Sequence, residues 1–234
     1  MDSNSSRTYF GEDLCAMSFA ENYHRWILSE FKPYLGKKVA EIGAGTGSFS
    51  KLLLESSIAT LSAYEPSKNM FPLLQKNLSN DPRAKVINDF FSVPSSDRFD
   101  TIVYVNVLEH IENDSAELDI AHKALDHSGH LLLFVPALSW LYGSMDRQVG
   151  HVRRYHKANL KARVQRAGFK ILFTRYFDFI GIIPWYINFV LLQTTLGNRS
   201  VKLYDHLVVP WLRWIEHRIP PPIGKNLLLV ASNS

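Results

Sequence analysis

The stretch Val39-Ala-Glu-Ile-Gly-Ala-Gly-Thr-Gly-Ser-Phe-Ser50 decides the fold. A short, mostly apolar run leads into three alternating glycines and then into a hydroxyl-rich segment with helical apolar spacing. This order predicts a buried strand, a tight turn and a helix N-terminus. Glycines permit positive φ and lack the Cβ atoms that keep a ligand from the backbone, and a helix N-terminus favours negative charge. The stretch therefore predicts a ligand-binding turn, the alternative being a glycine-rich turn without chemical consequence.

The spacing of the glycines identifies the kind of turn. The dinucleotide pattern is G-x-G-x-x-G, whereas Gly43, Gly45 and Gly47 alternate here and Glu41 stands two positions before the first. The stretch resembles the first motif of the class I S-adenosylmethionine (SAM) dependent methyltransferases, E/D-x-G-x-G-x-G. That resemblance implies that the turn holds the methionine end of SAM, with Glu41 and the three glycines as cofactor-binding residues.

Two acids follow later predicted strands. Glu65 ends the strand predicted over 60–64, about twenty residues after the turn, where an acid accepts hydrogen bonds from ribose hydroxyls in nucleotide-binding α/β folds. An exposed strand-end acid is the alternative. Asp89 closes the strand predicted over 84–88, and in the resembled family an Asp there binds the adenine amine. Phe90 or Phe91 would flank the purine, although Phe91 could equally belong to the core.

A further strand is predicted in Phe99-Asp-Thr-Ile-Val-Tyr-Val-Asn-Val-Leu-Glu-His-Ile111. The phrase F-D-x-I with a later L-E-H resembles the fourth motif of the same enzymes, which implies that Asn106 and Val107 meet the cofactor. His110 titrates near neutrality and is a candidate general base. A structural or cofactor-supporting role for His110 is the alternative.

Residues 16–35 carry aromatic and apolar side chains near helical spacing, which predicts a leading helix. The phrase Asn22-Tyr-His-Arg-Trp26 resembles the leading helix of methyltransferases related to the ubiquinone-biosynthesis and type 11/12 enzymes. This resemblance implies that Tyr23 reaches the cofactor. Simple core packing of Tyr23 is the alternative.

The segment 136–155 is polar, glycine-punctuated and aromatic, so we expect it to border the substrate. Its D-x-x-x-G-H-x-R-R-Y pattern resembles a subset of these methyltransferases. His151 could remove a proton from an acceptor hydroxyl or amine, and Arg153 and Arg154 could bind a carboxylate or phosphate. Alternatively, His151 braces the loop and one arginine pairs with Asp146. The candidates are His151, Tyr155 and His110 for catalysis, and Tyr142, Asp146, Arg153 and Arg154 for substrate binding.

An aromatic, apolar insertion is predicted over 177–219, before a terminal strand at 224–231. Its first apolar run is shorter than the ~20 residues of a membrane span and contains Pro184. Aromatic residues beside arginine and lysine are typical of an interfacial helix and also of a buried helical hairpin. Three interpretations stay open: a lid over the substrate, a dimer surface, or a platform that rests on a membrane or receives a lipid tail.

The chain has 234 residues, a hydrophobic fraction of 46% and a net charge of +4, which suits a single domain over 1–234. A lone cysteine, Cys15, excludes an internal disulfide, and a polar start without an apparent signal peptide favours the cytoplasm, with peripheral membrane contact open. The basic run over 147–166 is short and mostly on one predicted helix, which does not indicate nucleic-acid binding.

Alternating strands and helices predict an α/β fold, and the resemblance implies a Rossmann-like, seven-stranded mixed sheet with helices on both faces and the helical insertion before the last strand. It also implies transfer of a methyl group from SAM to an oxygen or nitrogen nucleophile. The aromatic insertion favours a small, hydrophobic or lipid-linked acceptor. The alternative is a non-catalytic SAM-binding or partner-binding protein that uses the insertion for assembly. No metal site is predicted, and the chain is expected to be a monomer or homodimer.

Overall fold

The structure, a computed structural model, describes residues 20–93, 98–194 and 198–233, without the side chains of 198 and 199. Cys15 and the first residues of the predicted leading helix therefore lie outside the described residues. The structure places that helix, α1, at Glu21–Phe31.

Seven strands form one sheet in the order β3-β2-β1-β4-β5-β7-β6. The strands β1 to β5 run parallel, and β7 runs antiparallel to both neighbours. This confirms the predicted mixed sheet, and it places the carboxyl ends of β1 to β4 along one edge. The bounds are Lys38–Ile42 for β1, Thr60–Tyr64 for β2, Ala84–Ile87 for β3, Phe99–Val105 for β4, Leu125–Pro136 for β5, Phe169–Phe177 for β6 and Asn226–Asn233 for β7.

Helices cover both faces of the sheet. After α1, the helices are α2 (Ser48–Leu54), α3 (Phe71–Leu78), α4 (Asp114–Ala124), α5 (Ser144–Gln148), α6 (Lys157–Arg166), α7 (Ile182–Trp185), α8 (Asn198–Leu207) and α9 (Val209–Arg218). A π-helical segment, Tyr186–Leu191, continues α7.

Alternating residues of the strands feed two separate cores. Leu132 of β5 joins the core under α1, α2, α3 and α9, whereas Leu131 joins the core under α4 and α6. Successive side chains of a strand point to opposite faces, so a strand covered on both sides needs an unbroken apolar run. This explains the continuous apolar sequence of β5.

The insertion between β6 and β7 consists of α7, the π-helical segment, α8 and α9. Two buried carboxylates attach it to the rest of the chain. Asp205 accepts hydrogen bonds from the backbone N–H groups of Asn22 and Tyr23, at 3.0 and 2.9 Å, and so caps α1. Glu216 accepts those of Asp178 and Phe179 at the end of β6, at 3.1 and 2.9 Å. The insertion is thus bound to the sheet and to α1 through buried charge-assisted contacts.

Every helix in the described stretches is too short, or not apolar enough, to cross a membrane.

Three predicted boundaries were wrong. With Ser67 as a candidate N-cap, the sequence predicts a helix over 67–78, whereas α3 begins at Phe71 with Pro72 in its first turn. The sequence predicts a helix over 114–126 and an apolar strand over 130–136. The strand, β5, instead begins at Leu125, where it pairs with Phe99 before an irregular step in register, so the preceding helix ends at Ala124.

Candidate functional site

The glycine turn follows β1 at the carboxyl edge of the sheet. Gly43, Gly45 and Gly47 have φ angles of 66°, 57° and 85°. Only glycine enters this left-handed region without a steric cost from Cβ. The Ala44 N–H donates to the carbonyl of Tyr64 at 2.9 Å, which attaches the turn to the end of β2.

Two of the three glycines make room for the protein's own side chains. A Cβ at Gly43 would lie 2.6 Å from Val107 Cγ2, and one at Gly47 would lie 2.9 Å from Leu74 Cδ1. The sequence predicts that the missing Cβ atoms leave room for a ligand. At these two positions the structure shows a packing reason instead, and it places Val107 directly against the turn.

Glu65 lies at the tip of β2 and is only 5% exposed. Its Oε2 accepts the Gly45 N–H at 2.7 Å, and its Oε1 accepts the Ser67 N–H at 2.8 Å. A carboxylate has about four lone-pair sites, so each oxygen retains capacity for one more donor. The arrangement fits a carboxylate that accepts two hydroxyl groups of a ribose.

Glu41 lies beneath the turn and is buried. The hydroxyl of Ser50, on α2, donates a short hydrogen bond to its carboxylate. Burial raises the pKa of Glu41 to about 8; the Ser50 hydrogen bond opposes this rise and the nearby charge of Glu65 adds to it. The structure therefore places this motif acid where it ties β1 to α2.

The remaining cofactor candidates lie at the same edge. Asp89 is exposed after β3, and its carboxylate accepts the Phe90 N–H at 2.9 Å. Phe90 is 53% exposed, whereas Phe91 is buried against Tyr64. Of the two aromatic rings, Phe90 is the one available to a purine.

A cavity of about 280 Å³ begins beside this edge and extends beneath the insertion. Asn106, which follows β4, borders the cavity and has a φ of 53°, a left-handed conformation that Asn tolerates better than most residues. Tyr23 also borders it, and its hydroxyl accepts a hydrogen bond from Asn226 at 2.6 Å. The structure thus places Tyr23 both in the core and in the cavity wall.

The insertion forms much of the opposite wall. Its lining residues come from α7, the π-helical segment, α8 and α9, and they are mostly apolar or aromatic: Pro184, Trp185, Phe189, Val201, Tyr204 and Val209. A concave, largely apolar site with a few polar groups is typical of small-molecule pockets.

His151 faces this cavity and is held by Asp146. The His151 Nδ1 lies 2.7 Å from Asp146 Oδ1, and the same carboxylate accepts Arg154 Nε at 2.8 Å and the Gly143 N–H at 2.9 Å. An ionised carboxylate only accepts, so Nδ1 carries the hydrogen and a neutral ring presents its lone pair at Nε2.

Asp146 is fully buried and touches these partners rather than the cavity. Burial raises the pKa of Asp146, but the hydrogen bond from His151 and the charge of Arg154 outweigh that effect and lower it below the ordinary value. Arg154 itself borders the cavity, with its guanidinium carbon 4.6 Å from the centre of the Trp185 ring.

Glu109 is a buried residue that the candidate set omitted. Neither carboxylate oxygen has a hydrogen-bond partner among the described residues, and Oε1 lies 3.6 Å from His151 Nε2. Burial raises the pKa of Glu109 to about 7, with His151 acting in the opposite direction. Its sequence neighbour His110 has its pKa lowered to about 3, by burial and by His151.

Ligand atoms of Glu109, His110 and His151 lie within 4.8 Å of one another. Such a trio could hold a metal ion, although the sequence predicts no metal site.

The structure does not bring every candidate to the cavity. The Tyr155 hydroxyl donates to Asp114 at 2.9 Å, and burial raises the pKa of Tyr155 far above its usual value. Arg153 pairs with the same carboxylate at 2.7 Å. The Tyr142 hydroxyl donates to the His151 carbonyl at 2.7 Å. These three side chains hold the segment 136–155 in place, and none borders the cavity.

Lys225 is a second residue that sequence reasoning missed. It borders the cavity just before β7, and its Nζ lies 2.9 Å from the buried Asp178. The ammonium also lies 5.4 Å from the Tyr23 ring centre and 5.2 Å from that of Trp185. These partners are distant in sequence, so no local pattern indicated Lys225.

Comparisons with known proteins agree with this geometry. A family model described as a methyltransferase domain matches residues 19–173. No curated protein sequence matches the chain.

Solved structures share the fold. A Haloferax volcanii chain, solved in complex with the methyltransferase activator Trm112, has a TM-score of 0.64 at 13% identity, with 96% of this chain and 94% of that chain covered. A SAM-dependent methyltransferase from Thermotoga maritima has a TM-score of 0.63 at 18% identity, covering 96% and 95%. Phosphoethanolamine N-methyltransferase 2 of Haemonchus contortus, solved with SAM, has a TM-score of 0.59 at 16% identity, with 90% of this chain and 52% of that chain covered.

The glycine turn, the acid at the tip of β2 and the match over most of the sheet agree with one another. The chain belongs to the methyltransferase-domain family and is a class I SAM-dependent methyltransferase.

Proposed function

We propose that the enzyme methylates an oxygen or nitrogen atom of a hydrophobic or lipid-linked acceptor that binds in the cavity beneath the insertion. One observation carries this proposal: the cavity begins at Asn106, beside the glycine turn, and contains His151 within an otherwise largely apolar wall. The match to a methyltransferase domain favours this enzyme over the non-catalytic alternative.

The cofactor-binding residues are proposed from the carboxyl edge of the sheet. The glycine turn would receive the methionine end, Glu65 the ribose hydroxyls, and Asp89 with Phe90 the adenine. The exposed Phe90 ring and the spare lone pairs of Glu65 support these roles. Bound SAM supplies an electrophilic methyl group. Asn106 and Val107 would border it, and Glu41 would hold the turn against α2.

His151 is the proposed general base. Its Nε2 would accept the proton that the acceptor hydroxyl or ammonium loses, while Asp146 holds the ring through Nδ1 and stabilises the imidazolium that forms. Glu109, 3.6 Å from Nε2, would stabilise the same positive charge when it is ionised. A positioned base of this kind contributes roughly 10²- to 10⁴-fold to rate.

The acceptor class follows from the wall of the cavity. Aromatic and aliphatic side chains would surround an apolar body, while Arg154 and Lys225 would face any anionic group it carries. Both cations are already paired with buried carboxylates, so the cavity does not need an anion to remain neutral. Peripheral contact with a membrane is proposed as the way in which a lipid-linked acceptor is reached.

The experiment is label transfer. The purified protein is incubated with methyl-labelled SAM and cell extract, and the products are partitioned between organic and aqueous phases. We expect label in the organic phase. Transfer to no molecule, despite SAM binding by calorimetry, would refute catalysis, and label confined to the aqueous phase would refute the hydrophobic acceptor.

The base is tested with His151→Gln. We expect at least about a hundredfold lower transfer with unchanged affinity for S-adenosylhomocysteine. His156→Gln is the matched control, because His156 is exposed, lies outside the cavity lining, and has its ring Nε2 2.8 Å from the hydroxyl of Ser139. Equal activity of His151→Gln and His156→Gln would exclude His151 as the base.

A further inference from the structure

We propose that the outward faces of α8 and α9 dock on a lipid bilayer that carries anionic headgroups. The docking face is defined by its exposed apolar side chains: Leu203, Leu207, Trp211, Trp214, Ile215 and Ile219. This inference deepens the proposed function, since it names the membrane partner, but its test does not require methyl transfer.

The helix α9 carries apolar side chains on two opposite stripes. Val209 and Leu212 are buried against the sheet, together with Glu216. Trp211 and Trp214, three residues apart and on the other side, are 72% and 57% exposed. An ordinary surface helix has one apolar stripe and one polar stripe. Among the described residues, no helix or strand covers the second stripe of α9.

The helix α8 repeats this arrangement. Tyr204 and Asp205 point inward, to the cavity and to the N-terminus of α1. Leu203 and Leu207, one helical turn apart, face outward, and Leu203 is 62% exposed. The two helices pack against each other, so their outward stripes form one surface. An exposed apolar surface of this kind marks a protein or membrane contact.

The charges beside the docking face distinguish a membrane contact from a protein contact. Its exposed charged side chains are cationic, at Lys202, Arg213 and Arg218. The acids of the same helices, Asp205 and Glu216, are both buried. The Arg218 guanidinium carbon lies 4.1 Å from the centre of the Trp214 ring. Tryptophan beside arginine at the edge of an apolar stripe is typical of helices that lie in the membrane interface.

This charge pattern argues against a second copy of the chain as the occupant. A two-fold dimer places the same surface on both sides of the interface, so cations would meet cations. An anionic bilayer complements them, and each Lys or Arg near such a surface is worth roughly fivefold in affinity.

The inner sides of the same helices line the acceptor cavity. Val201 and Tyr204 of α8 and Val209 of α9 form part of its wall. A bilayer at the docking face would thus lie one helix thickness from the cavity. The docking face would bring the proposed acceptor site to the membrane in which a lipid-linked acceptor resides.

The test is co-sedimentation of the full chain with vesicles. One set contains phosphatidylcholine alone, and the other contains phosphatidylcholine with phosphatidylglycerol. We expect at least about tenfold tighter binding to the anionic vesicles, weakened by salt, because cations contribute through a screened attraction. The double variant Trp211→Ser/Trp214→Ser should bind at least about tenfold more weakly to them. Arg213→Gln/Arg218→Gln should lose affinity only for the anionic vesicles.

Leu73→Ser is the matched control, since Leu73 is an exposed apolar residue on α3, away from the docking face. It should bind as the wild type does. Equal binding by the tryptophan variant and the control would overturn the proposal. The proposal would also be overturned if the wild type were a dimer, the tryptophan variant were a monomer, and neither protein bound vesicles. Label transfer from SAM tests the proposed function separately from membrane docking. Methyl transfer can persist when vesicle binding is absent, and it can fail when vesicle binding is present.

Discussion

Replacing Glu65 with Ala tests the cofactor site most directly. The carboxylate is nearly buried, and its two oxygens accept the Gly45 and Ser67 N–H groups at 2.7 and 2.8 Å. If ribose binds here, the same oxygens also receive its hydroxyls. The substitution therefore removes a contact to the ligand and loosens the turn that receives the ligand.

The expected loss follows from the kind of hydrogen bond. A hydrogen bond to a charged group contributes about 1.5 to 3 kcal/mol. Two hydroxyl bonds are lost, but water entering the vacated space recovers part of that free energy. We therefore expect a loss of about 3 kcal/mol in binding, which is roughly a 150-fold rise in Kd.

Isothermal titration calorimetry with S-adenosylhomocysteine measures this change, at a temperature where circular dichroism shows that both proteins are folded. Glu55→Ala is the matched control, because the Glu55 carboxylate is exposed and pairs with Arg25 on the surface at 2.7 Å. The control should retain wild-type affinity. A folded Glu65→Ala protein whose Kd stays within about threefold of the wild type would refute the assignment.

Three further predictions concern the turn, the insertion and a buried acid. Gly43→Ala should abolish S-adenosylhomocysteine binding, since its Cβ would lie 2.6 Å from Val107. The control is Gly150→Ala, at a φ of +79° but with open space around the added Cβ, which should cost only about 1 kcal/mol of stability. Equal effects of the two substitutions in thermal melting and in calorimetry would contradict this prediction. Asp205→Ala should lower the free energy of unfolding by about 1 to 2 kcal/mol, because α1 loses the carboxylate that caps it. Urea should unfold the variant in one cooperative transition, whereas two transitions would show that the insertion folds separately. Burial raises the pKa of Glu41 to about 8 from its ordinary 4.5, so between these pH values the folded chain keeps a proton that the unfolded chain releases, and the wild type loses stability as pH rises. Glu41→Gln does not titrate and should therefore gain stability relative to the wild type between about pH 5 and 8, by on the order of a few kcal/mol in urea unfolding. A stability difference that stays constant with pH would contradict this prediction.

Local patterns were sufficient where an element depends on its own residues. The sequence predicts strands over 38–42 and 60–64, which are the bounds of β1 and β2, because each is a short, mostly apolar run closed by turn residues. The glycine turn was identified for the same reason, since its positive φ angles must be provided by the residues themselves. Predictions failed where a distant partner decides, as at the start of β5, where Leu125 pairs with Phe99.

The site divides in the same way. His151, Asp146 and Arg154 are close in sequence, and the structure joins them through one carboxylate. Tyr155 and Arg153 belong to the same short motif, yet they bind Asp114 on α4, and Lys225 reaches the cavity from the far end of the chain. A motif indicates which side chains are present, whereas the packing of other elements decides which of them face the cavity.

The sequence by itself determined the α/β fold, the order of its strands and helices and the position of the glycine turn, because periodicity and backbone freedom are local properties. Only the tertiary structure decided that Gly43 makes room for Val107, and which stripe of α9 is covered. Both stripes of that helix are apolar, so hydrophobicity along the chain cannot tell the side that packs on the sheet from the side that faces out. That choice depends on the burial of Val209 and Leu212, which leaves Trp211 and Trp214 exposed.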